Sequence, residues 1–134
     1  MSKYQELVES AEKTTKLFNN LKARISGDFV SKLSQDMDCE KDRIGVEFGK
    51  PKYSERNKIL TWDFTLFISI VTNEGNIRFP LHNFSLAFIK DTENVSSVTV
   101  RYKDKMCNLN ESLDGLSDLV FQEIQKNIEQ GSWF

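Results

Sequence analysis

The sequence predicts an α+β protein of two layers. A curved four-stranded antiparallel β-meander, order 1-2-3-4, carries an N-terminal and a C-terminal helix packed on one face. Three observations lead there. Apolar residues recur at three- and four-residue steps through the first 37 positions, alternate strictly between Leu60 and Ile70, and return to helical spacing from Leu116 to Ile128. At 134 residues the chain is expected to be one domain, 1–134, with neither internal repeats nor low-complexity linkers.

Ser2 with Gln5 has the spacing of a capping box, which starts a helix. Tyr4, Leu7, Ala11, Thr14, Phe18, Leu21 and Ile25 then share one side. That stripe also has the heptad form of a coiled-coil seam. It includes Ala11 and Thr14 and loses phase at Asp28, so packing on its own domain is the expectation. Ser26-Gly27-Asp28 either ends this helix and caps a second one through Phe29, Val30, Leu33 and Met37, or marks a weak point in a continuous helix. The closing helix begins near Ser112 or Asp114 with Leu116, Val120, Ile124 and Ile128 inward, and Gly131 suits its C-terminal cap.

Between the helices lie the strands. Ile44, Val46 and Phe48 alternate with Arg43, Gly45 and Glu47 in the first. Leu60, Trp62, Phe64, Leu66, Ile68 and Ile70 line one face of the second. A two-residue loop at Glu74-Gly75 would pair Ile70 with Phe79 and Ile68 with Leu81. One-for-one counting then fails, because Leu66 would face Asn83. One extra residue at His82-Asn83 restores apolar matching, with Leu66 opposite Phe84 and His82 opposite Phe67. The pattern therefore demands a β-bulge, next to a proline, Pro80, that donates no ladder hydrogen bond. A polar turn over residues 90–95 leads to the fourth strand, where Val98, Val100 and Tyr102 pair with Phe88, Leu86 and Phe84.

The net charge is −2 and the pI about 5.5, which argues against a polycation that coats DNA or anionic lipid. No stretch approaches the ~20 apolar residues of a membrane span, and the amphipathic N-terminus has no signal-peptide core. Cys39 and Cys107 are far apart and outside any C-x-x-C spacing, so they read as reduced thiols of a cytoplasmic protein.

No catalytic set, metal site or cofactor is expected. The single histidine, His82, is the sole base for a Ser or Cys nucleophile, and it sits at the bulge pointing away from the core. Asp36, Asp38, Glu40 and Glu47 fall at positions 1, 3, 5 and 12 of a calcium-loop spacing. Lys41 stands where that loop needs glycine, and a strand follows where it needs a helix. One His and two scattered Cys make a poor zinc set, and no phosphate-cradling glycine motif occurs.

The expected function is therefore that of a small non-enzymatic protein-binding module: an inhibitor, immunity protein, adaptor or dedicated chaperone that masks a protein partner, an acidic one by the charge of its outer face. The residues expected to bind are Phe67, Arg78, His82, Arg101 and Lys103 on the outer sheet face, with the C-terminal aromatics Trp133 and Phe134. Those two either fold under the last helix or dock on a partner or second subunit as in a homodimer. An alternative is nucleic acid, held by Lys50, Lys52, Tyr53, Arg56 and Lys58, since phosphates want cations and single-stranded bases want aromatic faces. A third is a small molecule in a pocket between sheet and long helix, walled by Trp62, Phe64, Phe84 and Phe88.

Overall fold

The computed structural model describes residues 2–89 and 98–131. Helix α1 (Lys3–Arg24) starts at Ser2, whose hydroxyl accepts a hydrogen bond from the Gln5 amide at 3.1 Å. It does not stop at Gly27. The chain runs through one π turn, Ile25–Phe29, directly into α2 (Val30–Met37), which Asp38 closes in the left-handed conformation at φ 53°. The π turn explains the loss of phase at Asp28. The stripe before it and the stripe after it, Phe29, Val30 and Leu33, differ by roughly one residue of rotation, about 100°. The wider turn absorbs that residue, so Ile25 and Phe29 are both fully buried while Asp28 stays exposed.

Five strands follow, not four: β1 (Ile44–Ser54), β2 (Ile59–Thr72), β3 (Gly75–Ile89), β4 (Thr99–Tyr102) and β5 (Lys105–Asn108), then helix α3 (Asp114–Gln130). They form one antiparallel sheet in the order β1-β2-β3-β4-β5. The added strand corrects the four-stranded expectation. Lys103 at φ 55° turns Tyr102 back onto Lys105, and the four-residue run KMCN is too short and too polar to register as a strand by alternation. The turn expected over residues 90–95 lies outside the described residues.

The bulge is where the sequence places it, and the hairpin register is not. Thr72 pairs with Gly75 across an Asn73-Glu74 loop, so Ile70 faces Ile77, Ile68 faces Phe79 and Leu66 faces Leu81. The Thr72 hydroxyl decides this by accepting from the Glu74 amide (3.1 Å) and donating to the Gly75 carbonyl (3.0 Å). A slide of two residues keeps every side chain on its face, which is why alternation could not choose between the two registers. His82 and Asn83 together oppose Thr65, Asn83 adopting φ 71°, and Phe84 lands opposite Phe64. Beyond it Leu86 pairs with Val100 and Phe84 with Tyr102, as the sequence predicts.

A second bulge, unanticipated, lies on the other side of β2. Gly49 and Lys50 together oppose Asp63, which sets Phe48 against Phe64 and Pro51 against Trp62. The buried Trp62 indole donates to the Gly49 carbonyl at 2.7 Å, and a Cβ on Gly49 would stand 3.3 Å from the Asp63 carbonyl. Both bulges thus border one row of rings: Phe48, Phe64, Phe84 and Tyr102, with centroids 5.7, 5.3 and 4.1 Å apart in turn. Phe29 lies edge-on above the middle of that row, 6.0 Å from Phe64 and 6.3 Å from Phe84. Forgoing a ladder hydrogen bond costs roughly 0.5–1.5 kcal/mol. Turning Phe84, Leu86 and Phe88 out to solvent would forfeit roughly 1.5–3 kcal/mol each. Burial wins, and the strand bulges.

The helices cover the even-numbered face of β2. Leu21, Ile25, Phe29, Leu33, Leu116, Val120 and Ile124 join the inner side chains of the strands in one core. Lys32 ties the layers together by donating to the carbonyls of Leu109 and Glu111, the latter at 3.1 Å. Because Asn83 holds a positive φ that β-branched residues resist, Asn83→Val is expected to cost about 1–2 kcal/mol and Asn83→Gly less than about 0.5 kcal/mol. Urea midpoints at unchanged slope check both.

Candidate functional site: the open sheet face

With the helices on one side, the odd-numbered face of β2 is left open among the described residues. Its central feature comes from three neighbouring strands. Phe67 on β2 stands between Gly45 on β1 and Pro80 on β3. The Gly45 position offers no side chain beside the ring, and Pro80 is exposed. Arg78, two residues earlier on β3, lays its guanidinium over the Phe67 ring at 3.7 Å from the centroid. A planar cation stacked on an aromatic face is held in place while its N–H edge stays turned outward. Beside the stack β3 pairs with β2, whereas β4 pairs with β3 further on, over Phe84–Ala87.

His82 faces Thr65 rather than Phe67. It is exposed, with its Nδ1 3.3 Å from the Thr65 hydroxyl. Arg101 sits opposite Ser85 as expected, and opposite Met106, which is 68% exposed. Its Nε donates to the Lys103 carbonyl at 3.3 Å. Lys103 itself does not join the open face. Its ammonium meets Glu123 of α3 at 2.6 Å, alongside the Tyr102 ring, so the turn directs it toward the helical layer. Phe67, Arg78 and His82 are therefore neighbours on β2 and β3, Arg101 lies a row away, and Lys103 is turned toward α3. Trp133 and Phe134 lie outside the described residues.

Lys50, Lys52, Tyr53, Arg56 and Lys58 are all exposed on the β1–β2 hairpin. Tyr53 pairs with Leu60 on the helical side, whereas Lys52 pairs with Thr61 on the open side, so the five do not share one face. The proposed pocket wall is core: Trp62, Phe64, Phe84 and Phe88 are buried, with Phe18 edge-on to Trp62 at 5.2 Å. A shallow cleft of about 480 Å³ exists instead between α2 and α3, lined by Asp36, Met37, Ser117, Asp118 and Phe121. There the Ser117 hydroxyl donates to Asp36 at 2.6 Å. The acidic alternation does not converge. Glu47 is on the sheet, Glu40 reaches toward Arg43 at 3.9 Å, and among the described residues no three His, Cys, Asp or Glu side chains gather as a metal site would need.

Sequence reasoning missed several exposed apolar side chains. Met106 was hidden by the unrecognised fifth strand. Tyr4, Leu7 and Ile128, expected to pack on the domain, are exposed. Exposure of a helix stripe depends on where the sheet ends, which periodicity does not encode. No protein-family model matches the chain, and neither a curated protein nor a solved structure does. Among the described residues no helix is long and apolar enough to cross a membrane.

Among the described residues four groups titrate above their ordinary values. Burial raises Cys107, and burial followed by the nearby Asp38 carboxylate raises Cys39, both from 9.0. Burial and then Glu123 raise Tyr102 from 10.0, and the Glu123 hydrogen bond raises Lys103 from 10.5. In each case the folded chain keeps a proton that the unfolded chain gives up first. Their contribution is complete below the unfolded pKa and is lost as pH rises through the folded one. The urea midpoint is thus expected to fall between about pH 8 and about pH 10, and to fall less in Cys107→Ser. A midpoint that rises over that interval would contradict these shifts.

Proposed function

We propose that the chain is a non-enzymatic protein-binding module that masks a partner through its open sheet face, anchored on the Phe67–Arg78 stack. The observation that carries this reading is the stack itself: an aromatic ring and a guanidinium packed together on the sheet face away from the helices. Arginine and aromatic side chains supply most interface hot spots, because each offers a large contact area at small entropic cost. Val71 and Met106 add exposed apolar area on the same face, and Ile89 adds more at its far end. Arg78 and Arg101 suit carboxylates on the partner, and His82 sits between them. Inhibitors, immunity proteins, adaptors and dedicated chaperones all work by such masking. The two free thiols, Cys39 and Cys107, fit a reducing compartment, which favours the cytoplasm.

Nucleic acid is the second reading, favoured by the exposed basic hairpin from Lys50 to Lys58. Partner capture from the native organism separates the two. Arg78→Glu combined with Phe67→Ala is expected to weaken capture of the protein partner by about 30-fold or more, a hot-spot loss of about 2 kcal/mol, with the circular dichroism unchanged. Capture that survives this pair of changes but is lost with Lys52→Glu and Arg56→Glu, and with nuclease treatment, would overturn the protein-masking reading in favour of the basic hairpin.

A further inference from the structure

Helices α2 and α3 do not close completely on one another. The cleft of about 480 Å³ between them adjoins a hollow of about 230 Å³, and Asp36 lines both. Helix α3 sends Leu116, Val120 and Ile124 into the core. Phe121, one residue past Val120, is therefore carried about 100° around the helix and into the cleft, where it stays 57% exposed. Half-buried Met37 lines the same cleft from α2. Buried Ser117 reaches across and donates to Asp36 Oδ2 at 2.6 Å, which orients that carboxylate and leaves Oδ1 to accept from elsewhere. Asp118 supplies a second carboxylate, and among the described residues neither acid has an ion-pair partner. Lys32, which lines the smaller hollow, turns its ammonium to the carbonyls of Leu109 and Glu111 instead. Two carboxylates without a cation thus flank an exposed ring and a thioether. A guanidinium on an aliphatic stem uses all four, by paired N–H bonds to carboxylate, by the ring face and by contact with the adaptable methionine. A bare metal ion would use neither the ring nor the sulfur, and an acidic segment would be repelled.

We propose that this groove is a second interaction surface, which takes a protein segment presenting an arginine next to an apolar side chain. The guanidinium lies against Phe121, within reach of Asp36 and Asp118, and the apolar neighbour covers Met37. The surface is independent of the open sheet face. It belongs to the helical layer, and its charge is opposite, with Asp36 and Asp118 here against Arg78 and Arg101 there. Two surfaces of opposite charge on opposite layers let one chain hold two partners at once, which among proteins that act by masking is the arrangement of an adaptor. Both carboxylates are exposed and screened. A single such segment therefore binds weakly, at about 0.1–1 mM, and loses affinity as salt is added.

The test titrates a blocked pentapeptide, Gly-Arg-Leu-Arg-Gly, into the full chain and follows backbone amide chemical shifts. The shifts are expected to centre on Asp36, Met37, Ser117, Asp118 and Phe121. Phe121→Ala is expected to weaken binding about tenfold and Asp118→Asn about three- to fivefold, both with unchanged circular dichroism because both side chains are exposed. Gly-Glu-Leu-Glu-Gly is expected to leave these amides unmoved. Several results would overturn the proposal: no shifts up to about 5 mM peptide, shifts confined to other residues, or an unchanged affinity in Phe121→Ala. Equal shifts from putrescine, a dication with no apolar branch, would also overturn it and assign the groove to a small polyamine.

Discussion

The row of rings Phe48–Phe64–Phe84–Tyr102, with Phe29 standing on it, is the contact around which the rest of the molecule is arranged. Four strands and the helical layer meet there, and three of these segments reach it only by carrying an extra residue. The π turn Ile25–Phe29 rotates the helix so that Ile25 and Phe29 both point inward. The Gly49–Lys50 bulge sets Phe48 against Phe64, and the His82–Asn83 bulge does the same for Phe84. Each device sacrifices local hydrogen-bond regularity, and each is outweighed by the aromatic area it brings into the core.

The same devices shape the surface. Bulges increase twist and bend the strand that holds them. Here they sit on opposite sides of β2 at neighbouring positions, facing Asp63 and Thr65, so the bending is concentrated across the middle of the sheet. On the open side this brings His82 beside Thr65, next to the Phe67–Arg78 stack. A residue inserted to serve the core thereby places a titratable side chain on the proposed binding face. At the far end of the ring row, Lys103 pairs with Glu123 of α3 at 2.6 Å.

Much of this was legible in the sequence. The strict alternation from Leu60 to Ile70 identified β2 and its buried face, and the break of phase at Asn83 identified one bulge to the residue. What was lost had physical causes. The hairpin register turned on the Thr72 hydroxyl, a local polar contact to which a period-two pattern is blind. The Gly49–Lys50 bulge fell where β1 becomes polar, leaving no apolar pattern to break. β5 was too short to show alternation. The candidate site was half legible: Phe67, Arg78 and His82 followed from face and strand, while Lys103 was misplaced because a left-handed turn redirects it. The exposed start of α1 depended on the reach of the sheet, a tertiary quantity.

The most direct test is a nuclear Overhauser spectrum of the aromatic side chains in the folded protein. Ring contacts are expected between Phe48 and Phe64, between Phe64 and Phe84, and between Phe84 and Tyr102, with Phe29 touching the two in the middle. One-for-one pairing carried on from Leu66 and Leu81 would instead put Phe84 opposite Asp63 on the open face. Contacts from the Phe84 ring to Asp63, with none to Phe64 or Phe29, would contradict the account.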